Sequence, residues 1–413
     1  MSADPLKRLK ILYINHYGTF GGFQRSILEL ISAFPQGMVL PHFITPRGTG
    51  ADYFKKLNIP VTIVPGGLSK FDNTQLSYYR GFRWLILFRE LCYAFPTIYT
   101  MWKFKRNARD FDIVHVNEFT CILPIILAKK MYKKPVVMHA RSVFYDNPQS
   151  SISRKIVRLI EKYTDKIIAI DETVASSIPI PSKLVVVHNS FAVKSELTST
   201  ANTFAERLAT IPRHRLNIGF IGAIHTNKGI VELMHAMKMC RDNNLDVSLL
   251  VAGTGNTPRR FLVTNILNLL KLNQDKNQIL SDFIAQHKLE AYIHPLGFST
   301  NANDFFRYID VICFPSHFNA LGRPVFEAAF FHKPSIVAIR DPFPDTFVEG
   351  KTGLMVEQGN PASIYNAIKK LYDDPGSINA MGEQAYDLAV KNFTPETNSY
   401  KVLDIYRSLI NAP

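Results

Sequence analysis

Cysteine is scarce in this chain, and what there is lies scattered. Cys92, Cys121, Cys240 and Cys313 are spread over 413 residues with no Cys-x-x-Cys pair. No histidine cluster at ligand spacing accompanies them, so neither a disulfide framework nor a zinc site is expected, and a reducing compartment is. Long hydrophobic runs are missing too. The greasiest stretch, FRWLILFRELCYAFPTIYTMW, is broken by Arg83, Arg89 and Glu90, which excludes a membrane-spanning helix there. The opening MSADPLKRLKILYIN passes from a polar start into a strand without a signal-peptide pattern. No internal repeat, low-complexity tract or G-x-G-x-x-G fingerprint is present, and no recognised nucleic-acid module appears.

Acidic residues are also short in one half. Residues 1–190 hold 26 Lys and Arg against 13 Asp and Glu, while the remainder holds 22 against 21. Nearly all of the net charge of +14 therefore belongs to the first half. Such asymmetry points to an anionic partner: a membrane surface, a nucleic acid or a phosphorylated substrate. The plain alternative is a solvated basic face.

What is present is an alternation of short apolar strands and helices. LKILYIN, VLPHFITP, VTIVPG, FDIVHVN, KPVVMHA, DKIIAID and KLVVVHN read as strands, many separated by helix-like segments. The rhythm lapses after KLVVVHN and restarts at LNIGFIGAI, continuing through DVSLLVAG, YIHPLGF, DVICFPS, PSIVAIR and TGLMVE. Two doubly wound α/β domains are expected, over 1–190 and 216–390, with a linker at 191–215. Residues 391–413 form an amphipathic helix able to pack back on the N-terminal domain. Two stretches exceed what such a fold needs: 78–109, rich in aromatics and cations, and 256–288.

Ligands of open α/β sheets bind beyond the carboxyl ends of strands. Gly21 and Gly22 sit there in YINHYGTFGGFQRS, where glycines let backbone N–H groups reach a phosphate; a plain turn is the other reading. Lys228, in GFIGAIHTNKG, precedes a helix and can neutralise a phosphate, unless it is solvated surface. In FPSHFNALGRPVFEAAFFHKPSIVA, Gly322 and Pro324 mark a helix start whose free N–H groups suit an anion. Glu327, one turn further, can accept two hydroxyls of a ribose. Vicinal hydroxyls beside phosphate-seeking amides describe a nucleotide.

Taken together, these motifs, with VVMHA, HNSF and TGLMVEQGNPASIYNAIKKLYDDP, resemble the large family of GT-B-fold retaining glycosyltransferases that includes bacterial mannosyl-, glucosyl- and N-acetylglucosaminyltransferases. The resemblance spans almost the whole chain. It implies two Rossmann-like domains facing a cleft, the first binding an acceptor and the second a nucleotide-sugar. It implies that Gly21, Gly22 and Gly222 lie at the donor, Gly22 through its amide. Lys228 would bind the leaving diphosphate and Glu327 the ribose. Ala320, Leu321 and Gly322 would present amides to sugar hydroxyls and phosphate. His139 would lie beside the anomeric centre, its other reading being a core histidine at a strand end.

The family signature is Glu, seven residues, Glu, and here the first position is Asn319, which keeps hydrogen bonding but brings no charge. Ala223 stands where the family usually has an arginine on the diphosphate. Arg323 is the candidate substitute, with His225, Arg259 and Arg260 behind it. Asp110 and Asp112 imitate the Asp-x-Asp metal motif of other glycosyltransferases but open a strand, and are read as structural.

The expected activity is retaining, nucleotide-sugar-dependent hexosyl transfer by front-face attack, with His139, Lys228 and Asn319 at the reacting centre and no metal or cofactor. The expected acceptor is a glycan, lipid-linked, in bacterial surface polysaccharide synthesis. Arg83, Trp84, Phe88 and Arg89 are the expected membrane and acceptor surface, placing the protein in the cytoplasm on the inner face of the membrane. The same helical spacing of Trp84, Leu87, Phe88 and Leu91 also suits a core-facing stripe. The alternatives are a catalytically impaired binding or regulatory relative and a GT-B nucleotide-sugar epimerase. Binding of nucleic acid is not expected.

Overall fold

A computed structural model describes residues 8–71, 84–107, 110–144, 150–193, 203–253, 276–297 and 302–411. Arg83, Arg259, Arg260 and most of 256–288 lie outside these residues, and of Trp84 only the backbone is described. The chain divides into two compact units: residues 1–192 with 393–413, and residues 193–392.

In the first unit, β1 (Leu9–Asn15), β2 (Val39–Pro46), β3 (Val61–Val64), β4 (Ile113–Asn117), β5 (Val136–Ala140), β6 (Lys166–Ala169) and β7 (Leu184–Val186) form one sheet. Every pairing is parallel, and the order is β3-β2-β1-β4-β5-β6-β7. Helices α1 (Gly22–Ala33), α2 (Thr49–Lys56), α3 (Trp84–Asn107), α4 (Ile122–Leu127), α5 (Ser151–Tyr163) and α6 (Glu172–Ser177) connect the strands. Strands β4 and β5 are buried along their whole length, as central parallel strands covered on both faces must be. Their sequences IVHVN and VVMHA nevertheless carry three polar side chains into that interior.

In the second unit, α7 (Thr203–Ala209), α8 (Ile230–Asp242), α9 (Lys276–His287), α10 (Asn303–Tyr308), α11 (Arg323–Ala329), α12 (Pro361–Asp373) and α13 (Pro375–Asn392) accompany a six-stranded sheet. Its strands are β8 (Leu216–Ile221), β9 (Val247–Ala252), β10 (Ile293–Gly297), β11 (Val311–Phe314), β12 (Ser335–Val337) and β13 (Gly353–Met355), in the order β10-β9-β8-β11-β12-β13. The expected linker at 191–215 contains α7, whose Leu208 is buried with Phe305 and Phe306.

The terminal helix α14 (Pro395–Ile410) returns to the first unit, as its amphipathic pattern suggests. Val402, Leu403 and Tyr406 join the core formed with β1, β2 and α1. The Ser399 hydroxyl donates to the Ala33 carbonyl at 3.0 Å, fixing the helix at the end of α1.

Helix α3 corrects one reading. A core-facing stripe of Leu87, Phe88 and Leu91 was one expectation, yet these three are 41%, 58% and 58% exposed. The face turned inward carries Glu90, Thr97, Thr100, Met101 and Phe104 instead. Hydrogen bonds decide the orientation. The Glu90 carboxylate accepts from the Lys70 amide at 3.0 Å, and Thr97 Oγ1 accepts from the Ser69 amide at 2.9 Å.

Candidate functional site

Each sheet reverses its strand order once, and each reversal opens a crevice at the carboxyl ends of two central strands. In the second unit that point lies between β8 and β11.

Lys228 ends a short turn after β8. Its ammonium lies 5.0 Å from the Phe314 ring centroid and 5.5 Å from that of Phe318. Burial lowers its pKa, because the charged form has lost water. It has no carboxylate partner among the described residues. The turn reaches this position because Gly229 takes a φ of +74° and passes against the Pro315 carbonyl, where a Cβ would collide. The loop after β11 is fastened to the same turn: the His317 amide donates to the Asn227 carbonyl at 3.0 Å, and His317 Nε2 lies 3.0 Å from Glu232 Oε1.

Beyond that loop, Ala320, Leu321 and Gly322 donate no backbone hydrogen bond to any described residue. Three consecutive amides thus stand open just ahead of α11. Glu327 is buried in α11, and Arg323 grips its Oε1 with Nε at 2.9 Å and Nη2 at 2.8 Å. The expectation that Arg323 substitutes on a diphosphate meets a different arrangement, since its guanidinium holds the Glu327 carboxylate one turn away. His225 also turns inward on its own loop, its Nδ1 accepting from the Asn227 amide at 3.1 Å. Gly222 donates its amide to the Ala252 carbonyl at 2.9 Å, so what it offers a ligand is open space rather than a hydrogen bond. Asn319 is exposed, and its Oδ1 accepts from the Arg340 amide at 2.7 Å. Its NH2 group makes no bond to a described residue, so the position presents a donor where a carboxylate would present acceptors.

In the first unit the reversal lies between β1 and β4. Helix α1 starts there without a capping side chain, and the amides of Gly21 and Gly22 donate to no described residue. Beneath them is a buried polar cluster that the sequence reading only half found. His139, at the end of β5, places Nδ1 3.2 Å from His115 Nε2 and 3.3 Å from Arg141 Nη2. Arg141 also donates to Asn117 Oδ1 at 2.6 Å and Asn189 Oδ1 at 2.7 Å. Burial drives the pKa of His139 well below its ordinary value, with help from the Arg141 charge; His16 and His115 fall to about 3 for the same leading reason. Glu118, buried at the end of β4, is pushed up to about 7 by burial, and its backbone holds φ +108°. His139 Nε2, both polar atoms of the Asn15 side chain, Asn117 Nδ2 and Ser190 Oγ are buried with no hydrogen-bond partner among the described residues. Asn15, Asn117 and His139 stand at the carboxyl ends of β1, β4 and β5, so these buried polar atoms have hydrogen-bonding capacity left over beside the strand reversal. Arg141 and Glu118 were missed, although NEF and HARS, directly after two apolar strands, carried the signal.

Asp110 and Asp112 both engage Lys10, the first by an ion pair and the second by accepting its amide at 2.8 Å. Among the described residues no group of three or more His, Cys, Asp or Glu is placed to hold a metal ion.

Two units, each built on a parallel sheet with one reversal of strand order, define a doubly wound α/β protein with two Rossmann-like domains. Residues 20–194 match the family model described as Glycosyltransferase Family 4, and residues 207–388 match Glycosyl transferases group 1. The chain belongs to the glycosyltransferases of GT-B fold. It is 25% identical over 209 residues to the capsular polysaccharide biosynthesis glycosyltransferase CapM of Staphylococcus aureus, covering 51% of this chain and 50% of that protein. The match thus spans about half the length of CapM. It is 22% identical over 324 residues to 2-deoxystreptamine N-acetyl-D-glucosaminyltransferase of Niallia circulans, covering 74% and 77%. Anabaena HepE, solved in complex with UDP and glucose, superposes with a TM-score of 0.71 at 17% identity, over 97% of this chain and all of that one.

Proposed function

We propose that this protein is a retaining glycosyltransferase that moves a hexose from a nucleotide-sugar to a hydroxyl of a glycan carried on a lipid. The observation that carries the reading is the open Ala320–Gly322 amide row ahead of Glu327 on one helix start, with the Lys228 ammonium, of the same unit, lacking a carboxylate partner among the described residues.

Each group then has a task its chemistry suits. Lys228 neutralises the leaving diphosphate as a point charge, strengthened by the aromatic rings that keep water from it. The amide row adds directed donors to the same oxygens and to sugar hydroxyls. Glu327 accepts from the ribose, and Arg323 holds its carboxylate in one rotamer. In the first unit, His139 offers a hydrogen-bond donor at Nε2 to a sugar hydroxyl. The departing phosphate oxygen takes the proton of the attacking hydroxyl, so no separate base and no metal is needed. CapM and the lipopolysaccharide core mannosyltransferase LpsB of Rhizobium meliloti, by their names, make bacterial surface polysaccharide, which supports a surface-glycan acceptor here. The UDP and glucose bound to HepE make UDP-sugars the first donors to test.

Calorimetric binding of a nucleotide-sugar panel, with Lys228→Ala and Glu327→Ala as controls, tests the donor site. One saturable donor, lost in both variants, supports the proposal, and absence of any donor overturns it. The anomeric configuration of the product, read by NMR, tests retention.

A further inference from the structure

The exposed face of α3 carries none of the groups assigned above to the donor, and it breaks the usual pattern of a surface helix. Leu87, Phe88, Leu91, Phe95, Ile98, Tyr99 and Trp102 are all exposed, Phe95 to 77%. At 3.6 residues per turn these side chains fall within an arc of about 120° and run along about 22 Å of helix. The opposite face is locked inward by Glu90 and Thr97, so the helix cannot roll to hide the stripe. Contiguous apolar surface on this scale marks an interaction site.

We propose that this face of α3 lies in the interface of an anionic lipid bilayer, with the helix axis in the membrane plane. The cations decide between occupants. Arg89, Lys103, Lys105 and Arg106 are exposed along the helix, while its one carboxylate, Glu90, is buried and bonded to Arg89 at 2.7 Å. Anionic headgroups complement that distribution. A second copy of this chain would set cation against cation whether the helices ran parallel or antiparallel. Trp102 and Tyr99 sit toward one end of the stripe, and the Arg106 guanidinium lies 4.8 Å from the Trp102 ring. Amphipathic aromatics flanked by cations are the side chains that settle at headgroup depth. No described helix is long and apolar enough to cross a membrane, so this contact is peripheral. The proposal rests on the lipid-linked acceptor of the preceding reading for its purpose, but its test needs no turnover.

The chain has two tryptophans, Trp84 and Trp102, both within α3, so emission excited selectively from tryptophan reports on this helix alone. The full chain is mixed with phosphatidylcholine vesicles with or without about a third phosphatidylglycerol, and emission and co-sedimentation are recorded. The expected result is a blue shift and sedimentation with anionic vesicles only, retained by Trp84→Phe and weakened by salt. The double variant Leu91→Glu with Phe95→Glu is expected to lose about tenfold or more in partitioning. Both sites are exposed, so its melting temperature and nucleotide-sugar affinity stay at wild-type values. Equal partitioning of the double variant, no binding by wild type, or a wild-type dimer that this variant dissociates overturns the proposal. Vesicle binding with no nucleotide-sugar binding sustains the docking face while sinking the transferase reading.

Discussion

His115 Nε2 lies 3.2 Å from His139 Nδ1, and this contact together with the Arg141 guanidinium sets which nitrogen of His139 carries its proton. Arg141 can only donate, so the His139 Nδ1 that it approaches at 3.3 Å is an acceptor. The proton of the neutral ring is then on Nε2, the buried nitrogen without a described partner. His115 donates from Nε2 and accepts at Nδ1 from the Tyr406 hydroxyl, 2.6 Å away, which in turn lies 3.1 Å from the Tyr13 hydroxyl. A relay from the last helix of the chain thus presents an N–H donor at the crevice.

The relay predicts the effect of Tyr406→Phe. A buried acceptor on His115 loses its donor, which costs about 1–3 kcal/mol of stability. His115 is then free to take the other tautomer, and the preference at His139 weakens. Nitrogen-15 NMR should show His139 protonated at Nε2 in wild type and mixed in the variant. The same mixture in wild type would remove the basis for assigning His139 as a donor.

Acid should destabilise the first unit through its buried histidines, with Glu118 alone among the carboxyls named here acting against them. His16, His115 and His139 bind protons less readily folded than unfolded, His16 and His115 dropping from 6.5 to about 3. Between those limits the unfolded chain holds more protons, so stability rises with pH and is lost as pH falls below about 6.5. Hydrogen exchange of β1, β4 and β5 at about pH 5 should be faster than pH alone explains, while β8 and β9 serve as the internal control. Uniform loss of protection across both units would refute it.

Glu118 acts in the opposite direction. Its carboxyl is raised from 4.5 to about 7, so its protonated form favours folding, and that contribution disappears as pH climbs through this window. The penalty above pH 7 is about 3 kcal/mol. Glu118→Gln keeps an oxygen to accept from the Phe119 amide, now 3.0 Å from Glu118 Oε1, without the buried charge. The variant should melt higher than wild type at about pH 8 and lose that advantage near pH 5. A difference independent of pH would mean that Glu118 is not the titrating group.

The two sheets were legible because parallel strands covered on both faces must be short apolar runs, and each run here is bounded by a turn. The GRPVFE helix start was equally legible, because Gly and Pro each act through local backbone geometry. What lay hidden depends on distance or on sidedness. Tyr406 meets His115 from 291 positions away, and no local pattern encodes that. Helix α3 shows its apolar period plainly, but a period does not say which face turns inward; Glu90 and Thr97 settle that through partners near residue 70. Arg323 and Glu327 stand four apart, and their pairing was available from spacing alone.

Asn319 offers the sharpest separation of a structural from a recognition role. Its oxygen is committed to the Arg340 amide at 2.7 Å, while its NH2 group is open. Asn319→Asp keeps an acceptor for Arg340 and removes the donor, whereas Asn319→Ala removes both. Loss of a single exposed hydrogen bond costs about 1 kcal/mol. The aspartate variant should therefore melt as wild type does, and the alanine variant slightly lower. Donor recognition should separate them differently: if the NH2 group reads a sugar hydroxyl, both variants weaken nucleotide-sugar binding by about five- to tenfold while the bare nucleoside diphosphate binds unchanged. Equal losses for sugar and diphosphate would assign Asn319 to holding the loop and its amide row. Wild-type affinity in Asn319→Asp would mean that sugar choice is made elsewhere, and that a carboxylate at this position is compatible with the site.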